Sequence, residues 1–184
     1  RYPGTRPYQS IPIQWSNHIE QMDGALVHHE FLHGEMSDPR RPLAEGLLKS
    51  LGDDGSICVY SPYEKSVIEQ LAEALPELRV ELRRLTRRIW DLHPIVRDHY
   101  YHPEFDGSFS LKEVLPVVVP ALRYDDLAIR EGGQAAAEYY RMVFVEMDWI
   151  ERAIIRESLL RYCARDTLAM VELRRALRIK AGHL

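Results

Sequence analysis

Hydrophobic and polar positions alternate in short runs along the first third of the chain. Residues 13–19 (IQWSNHI) and 25–32 (ALVHHEFL) are strand-like stretches separated by Gln21, Asp23 and Gly24, which predicts an antiparallel hairpin. Ahead of them, residues 2–12 hold three prolines and Gly4 and read as extended loop. After Asp38-Pro39 the period changes: Leu43, Leu47, Leu48 and Leu51 recur at helical spacing up to Gly52. A turn at Asp53-Asp54-Gly55 leads into Ile57-Cys58-Val59, too brief and too β-branched for a helix, which predicts a buried strand. Ser61-Pro62-Tyr63-Glu64 then reads as N-cap, first-turn proline and capping acid of a helix running to about Ala74, before Pro76. A second capping signal, Ser110-Leu111-Lys112-Glu113, opens another short helix, and a long helix over roughly residues 147–177 closes the chain. Strands first and βα alternation afterwards point to an α/β protein.

The 184 residues carry no internal repeat and no long linker, so one domain is expected. With 46% apolar and 28% charged residues, the chain is neither collagen-like nor disordered. The apolar run from Val114 to Leu122 is broken by Pro116 and Pro120 and falls far short of the ~20 residues a bilayer requires, so no membrane partner is expected. Cys58 and Cys163 each lie in an apolar stretch and read as small buried hydrophobes rather than a disulfide, which suggests a reducing compartment and a cytoplasmic location. A net charge of −4 gives no global reason to expect nucleic acid and does not exclude a local groove. The chain opens on Arg1 with no initiator Met and no signal-like segment, so it is expected to begin inside a longer protein.

Four features carry candidate chemistry. His29-Glu30-Phe31-Leu32-His33 fits the H-E-x-x-H of zinc peptidases, which needs both histidines on one helix face. Its turn-like flanks, with Leu26-Val27 and Phe31-Leu32 after a hairpin turn, favour a strand instead, in which residues four apart lie about 13 Å from each other, too far for one zinc ion. Partly exposed strand histidines are therefore expected. Tyr162-Cys-Ala-Arg-Asp166 lies in the last helix, where four-residue spacing stacks phenol and carboxylate on one face; the plainer explanation is a surface Asp beside a half-buried Tyr. Glu64 follows directly on a buried strand, where α/β folds build their sites, and also suits a capping-box acid bonded to the Ser61 backbone N–H. Arg79, Arg83, Arg84, Arg87 and Arg88 cluster on one predicted helix as a possible phosphate contact, although the interleaved Glu77 and Glu81 favour a solvated face. Asp91, in Trp90-Asp91-Leu92, is placed either near the site or, equally well, as a helix N-cap before Pro94.

Together, Tyr162-x-x-x-Asp166 in the final helix and a mid-chain acid at a strand-to-helix junction resemble the DEDD (DnaQ-like) 3′–5′ exonucleases of the RNase H-like superfamily, named for four acidic metal ligands in three motifs. The second motif usually shows Asp where this chain has Glu64. Over nearly its whole length the chain is also similar to a bacterial family known as domain of unknown function 2779, whose relatives are predicted nucleases. The segments GTRPYQSIPIQWSNHI, VYSPYEK, DLHPIVRDHYYHPEFDGSFSLKEVLP and LRYCARDTLAMVEL carry that resemblance. In that family GTRPYQ follows a strand bearing an Asp-x-Glu motif, absent from this sequence.

The resemblance implies a single RNase H-like exonuclease-type domain over residues 1–184, with a mixed sheet flanked by helices. It also implies truncation at the N-terminus, with the first strand and two of four ligands missing and further domains in the same chain. By the same resemblance, Asp166 and Glu64 would ligate Mg²⁺ or Mn²⁺, two ions in the full-length protein. Tyr162 would orient the attacking water, and Lys112, in an SLK sequence, would contact nucleic acid: a single-stranded DNA or RNA end. The chain alone is expected to be inactive for want of anionic density. The rival expectation from another class is a non-catalytic RNase H-like module that binds nucleic acid or protein.

Overall fold

The structure is a computed structural model that describes residues 2–6 and 9–182. The chain start at Arg1, and Pro7 and Tyr8 of the expected extended loop and of the GTRPYQ segment, lie outside the described residues. The architecture is mixed α/β, with two small sheets and seven α-helices among the described residues.

The expected hairpin forms from β1 (Gln14–Glu20) and β2 (Leu26–Leu32), with Trp15 opposite Phe31 and His18 opposite His28. Side chains alternate across the strands. Trp15 and Asn17 face α1 (Arg40–Leu51): Trp15 Nε1 donates to the Leu43 carbonyl (3.1 Å) and Asn17 Nδ2 to Ser50 Oγ (2.9 Å). Gly46 permits that approach, because a Cβ there would meet the Trp15 ring at 3.3 Å. On the other face, Ser16 Oγ and His18 Nδ1 both bond Thr167 Oγ1, at 2.9 and 2.8 Å.

A second, separate sheet pairs β3 (Ile57–Val59) with β4 (Ile89–Asp91) in parallel, Cys58 opposite Trp90. Sequence reading locates β3 and misses β4, because three residues between an Arg-rich helix and a proline carry almost no periodic signal. Between the two strands run α2 (Tyr63–Ala74), a 3-10 turn at Pro76–Leu78 and α3 (Arg79–Arg88). Helix α2 starts one residue later than expected, behind Pro62. Ser61 Oγ accepts from the Tyr63 N–H (3.2 Å) and donates to Glu64 Oε2 (2.9 Å), in place of the expected bond between Glu64 and the Ser61 backbone. The C-terminal half adds α4 (His93–His99), α5 (Leu111–Val118), α6 (Gly132–Phe144) and α7 (Trp149–Lys180). Ser110 holds the N-cap position of α5 without a side-chain bond to the helix.

Helix α7, 32 residues long, packs against both hairpin strands, α5 and α6. Its N-terminal half packs Ile155 and Leu159 against Leu32 and the α6 residues Tyr139, Met142 and Val143. Its C-terminal half packs Ala169 and Leu173 against Phe105, Val114, Leu115 and Leu92, with Cys58 of β3 at the edge. A third cluster joins α1, α2 and α3 through Leu43, Ile68, Leu71 and Leu82.

The arginine cluster of α3 divides by duty. Arg83 reaches Glu69 at 3.9 Å, Arg79 Nε donates to the Ala72 carbonyl (3.2 Å), and Arg84 and Arg87 are exposed. Arg88 is structural: its guanidinium donates to the carbonyls of Leu51 (3.0 Å), Gly52 (2.5 Å), Gly55 (2.7 Å) and Asp54, fixing the end of α1 and the turn into β3. Arg88→Ala is therefore expected to lower unfolding free energy by about 2 kcal/mol, the scale of charge-assisted hydrogen bonds. Arg87→Ala should stay within about 0.5 kcal/mol of wild type. Urea unfolding followed by circular dichroism separates the two, and equal midpoints would mean that Arg88 is merely solvated.

Candidate functional site

The buried side of α7 is a stripe at intervals of three and four residues: Ile155, Leu159, then Ala169 and Leu173. Tyr162 and Asp166 fill the middle of that same stripe, where helical geometry calls for two more apolar residues. The face shared by phenol and carboxylate is thus an inward one. Tyr162 packs against both clusters flanking α7.

A carboxylate in this position loses hydration. Burial raises the Asp166 pKa above the usual aspartate value, opposed by a hydrogen bond from Tyr124 and the positive charge of Lys112. Tyr124, itself buried, donates its hydroxyl to Asp166 Oδ1 at 2.8 Å. Lys112 lies over two aromatic rings, 5.6 Å from the centroid of Tyr124 and 5.3 Å from that of Tyr162, and its Nζ donates to Tyr162 Oη (3.4 Å) and to the Arg130 carbonyl. Lys112 and Tyr162, chosen from sequence, therefore meet around Asp166. The residue that sequence reading misses is Tyr124, which lies in the stretch LRYDD with no motif to mark it. Burial, followed by the Asp166 charge, holds the hydroxyls of Tyr124 and Tyr162 well above the ordinary phenol range, so both remain protonated donors.

Glu64 comes from the first turn of α2, just past β3, and is half-buried. Its pKa is also raised, chiefly by burial, with the negative charges of Asp91 and Asp166 adding to it. Asp91, last residue of β4, is not the expected N-cap of the next helix but stands one residue ahead of it: Leu92 holds the N-cap position of α4, and Asp91 Oδ1 accepts the His93 N–H at 2.9 Å as a turn bond. It is also one of the charges felt by Glu64. The same acids act on both cysteines. Burial pushes the Cys58 thiol up to about 12, with Asp91 and Glu64 adding, and the Cys163 thiol up to about 11, with Asp166, Glu30 and Glu64 adding. Both thiols are free, as expected, and inert at neutral pH. The charges of Asp91 and Asp166, from two other segments, thus bear on the ionisation of Glu64.

The other candidates fall away from this focus. His29 is on β2 and bonds Ser50 Oγ (2.9 Å), whereas His33, just past the strand, bonds the Ser37 carbonyl (3.0 Å). H-E-x-x-H is therefore not a helical zinc motif here. His33 is buried rather than partly exposed, because it packs under the Ser37 turn. Among the described residues, no three His, Cys, Asp or Glu side chains stand close enough to hold a metal ion. No helix among them is long and apolar enough to cross a membrane.

Fold and site together define a mixed α/β protein with a focus of half-buried acids at the strand ends and on α7. Residues 1–110 match the family described as Domain of unknown function (DUF2779), and the chain belongs to that family. The match takes in Glu64 and Asp91, while Lys112, Tyr124, Tyr162 and Asp166 lie beyond it. No curated protein and no solved structure matches the chain.

Two raised carboxyl groups have a thermodynamic signature. Above the ordinary carboxylate range the folded chain holds protons on Asp166 and Glu64 that the unfolded chain has released, so stability falls as pH rises through that window. Asp166→Asn and Glu64→Gln should each flatten the fall. Urea midpoints measured from about pH 4 to 8 test this, and a wild-type slope retained in both variants would place the two groups in water.

Proposed function

We propose that this chain is the core of a metal-dependent nuclease of RNase H-like fold, a 3′–5′ exonuclease acting on single-stranded ends of DNA or RNA in the cytoplasm. The observation that carries the reading is Asp166 in the apolar stripe of α7, coupled by charge to Glu64 from the β3–α2 junction. Burying carboxylates costs free energy unless a cation or a reaction returns it. The split sheet is a second support: β1–β2 and β3–β4 both lie along α7 without pairing with each other, as they would if a first strand belonged between them.

The donor chemistry suits Mg²⁺ or Mn²⁺, because carboxylate oxygens are the hard ligands these ions take. The described residues supply only part of a ligand set, Asp166 and Glu64 with Asp91 nearby, and the reading places the remaining Asp-x-Glu upstream of Arg1. When bound, a pair of such ions supplies charge stabilisation at the phosphate and an activated water. The chain's own residues do the rest. Tyr124 donates to Asp166 Oδ1 and holds the carboxyl group in one orientation, and Tyr162, a protonated phenol beside the same carboxyl group, would position water by hydrogen bonding. Lys112 adds positive charge for the strand.

The test is a Mg²⁺/Mn²⁺ nuclease assay on a full-length protein that carries this chain and an upstream Asp-x-Glu. Asp166→Asn and Glu64→Gln are each expected to lose about a hundredfold or more in rate, about 2.7 kcal/mol of transition-state stabilisation, whereas residues 1–184 alone should be inactive. Equal rates in wild type and both variants would end the site assignment. Nucleic-acid binding without hydrolysis would favour a non-catalytic module.

A further inference from the structure

Lys112 and Tyr124 belong to two places at once: the network around Asp166, and the wall of a cavity of about 330 Å³ that is also lined by Arg123, Asp125, Arg130 and Glu131. Its volume is at the small end for ligand sites, enough for a phosphate group and part of a nucleotide.

Three of the lining residues are cations, and none of the three is within ion-pair distance of a carboxylate among the described residues. They bond neutral acceptors instead. Arg123 Nε donates to the Pro120 carbonyl (3.2 Å), Arg130 Nε to Leu127 (3.1 Å) and Arg130 Nη2 to Asp125 (2.6 Å), and Lys112 reaches the Arg130 carbonyl and Tyr162. Arg40, Arg141, Arg165, Arg174 and Arg175, by contrast, pair with carboxylates. The backbone bonds hold the two guanidinium groups in place and spend few of their donors. Both Nη atoms of Arg123 and Nη1 of Arg130 have no protein acceptor among the described residues. The two lining carboxylates, Asp125 and Glu131, are exposed, as are Arg123 and Arg130. Helix α6 begins at Glu131 with no side-chain cap, so its first N–H groups add positive potential at the rim.

We propose that this cavity seats a backbone phosphate of the nucleic-acid strand, with Arg123 and Arg130 as its donors and Lys112 between it and Asp166. The identity of the strand rests on the nuclease reading. The preference for a phosphate oxyanion rests on the cavity alone.

Binding to the full chain without divalent metal tests it, with inorganic phosphate and a short single-stranded oligonucleotide as probes. Phosphate should compete with the oligonucleotide, and Arg123→Gln with Arg130→Gln should weaken both about tenfold or more. The slope of log K against log salt for the oligonucleotide should fall by about 1.4, the share of two cations on a single strand. Glu131→Gln should tighten both probes, a change that misfolding would not produce. Oligonucleotide binding untouched by the double variant, or phosphate that binds without competing, overturns the proposal. Competition and loss in the variants, alongside a full-length protein with no metal-dependent cleavage, would uphold the cavity and end the nuclease reading.

Discussion

One helix bridges two strand pairs that do not bond each other, and the rest of the molecule is arranged around that fact. A three-residue parallel ladder such as β3–β4 and a two-stranded hairpin such as β1–β2 are each marginal alone. Helix α7, about 48 Å long at 1.5 Å per residue, gives both a surface to lie on. The contact with the hairpin is polar at Thr167, with Ser16 and His18, and apolar where Ile155 and Leu159 meet Leu32, and the contact with β3 is apolar, through the cluster that holds Cys58. The two contacts fix the rotation of α7 about its axis. That rotation turns Tyr162 and Asp166 inward.

An inward acid in the middle of an apolar stripe opposes the packing around it. Desolvation raises Asp166, and a donor from Tyr124 with a nearby cation at Lys112 lowers it, yet the net direction stays upward. Glu64 shows the same balance with Ser61 as its donor. Compare Asp38 and Glu20, whose arginine partners hold their pKa below the usual range. The chain neutralises its acids where arginine is at hand, at Asp38, Glu20 and Asp126. It leaves the buried ones incompletely neutralised, and that contrast within one molecule is the physical reason to look for function there rather than at the surface ion pairs.

Legibility from the sequence followed signal strength. The hairpin, α1, β3 and α2 were readable because each has a boundary residue, Gly24, Gly52, Gly55 and Pro62, and the last helix by its length, placed at roughly residues 147–177 and found over Trp149–Lys180. Strand β4 and helix α4 were not, since Ile89 to His99 packs a strand, a turn at Asp91 and a seven-residue helix into too few residues for any period to repeat. Helix α6 was also passed over, its Gly132-Gly133 start resembling a loop. In the site, Asp166 and Tyr162 stood out by spacing, but their inward orientation was legible too: positions 155, 159, 162, 166, 169 and 173 form one face, readable from the apolar residues on either side. Tyr124 was not legible, because its role depends on a fold that brings a loop residue to a helix forty-two positions later.

Asp91 illustrates why local and functional explanations need not compete. Its side chain satisfies the His93 N–H, which accounts for an Asp before His-Pro by turn chemistry alone. That bond uses Oδ1 and holds the carboxylate at the end of β4, beside the end of β3 where Glu64 follows, and its charge bears on Glu64, Cys58 and Tyr60 together. A parallel pair puts the C-terminal ends of its strands side by side, so any acid terminating β4 comes near any acid following β3. The turn bond fixes the position and the parallel register supplies the neighbour. Acid clustering at this edge is therefore a consequence of topology, to which α7 contributes Asp166 from the opposite layer.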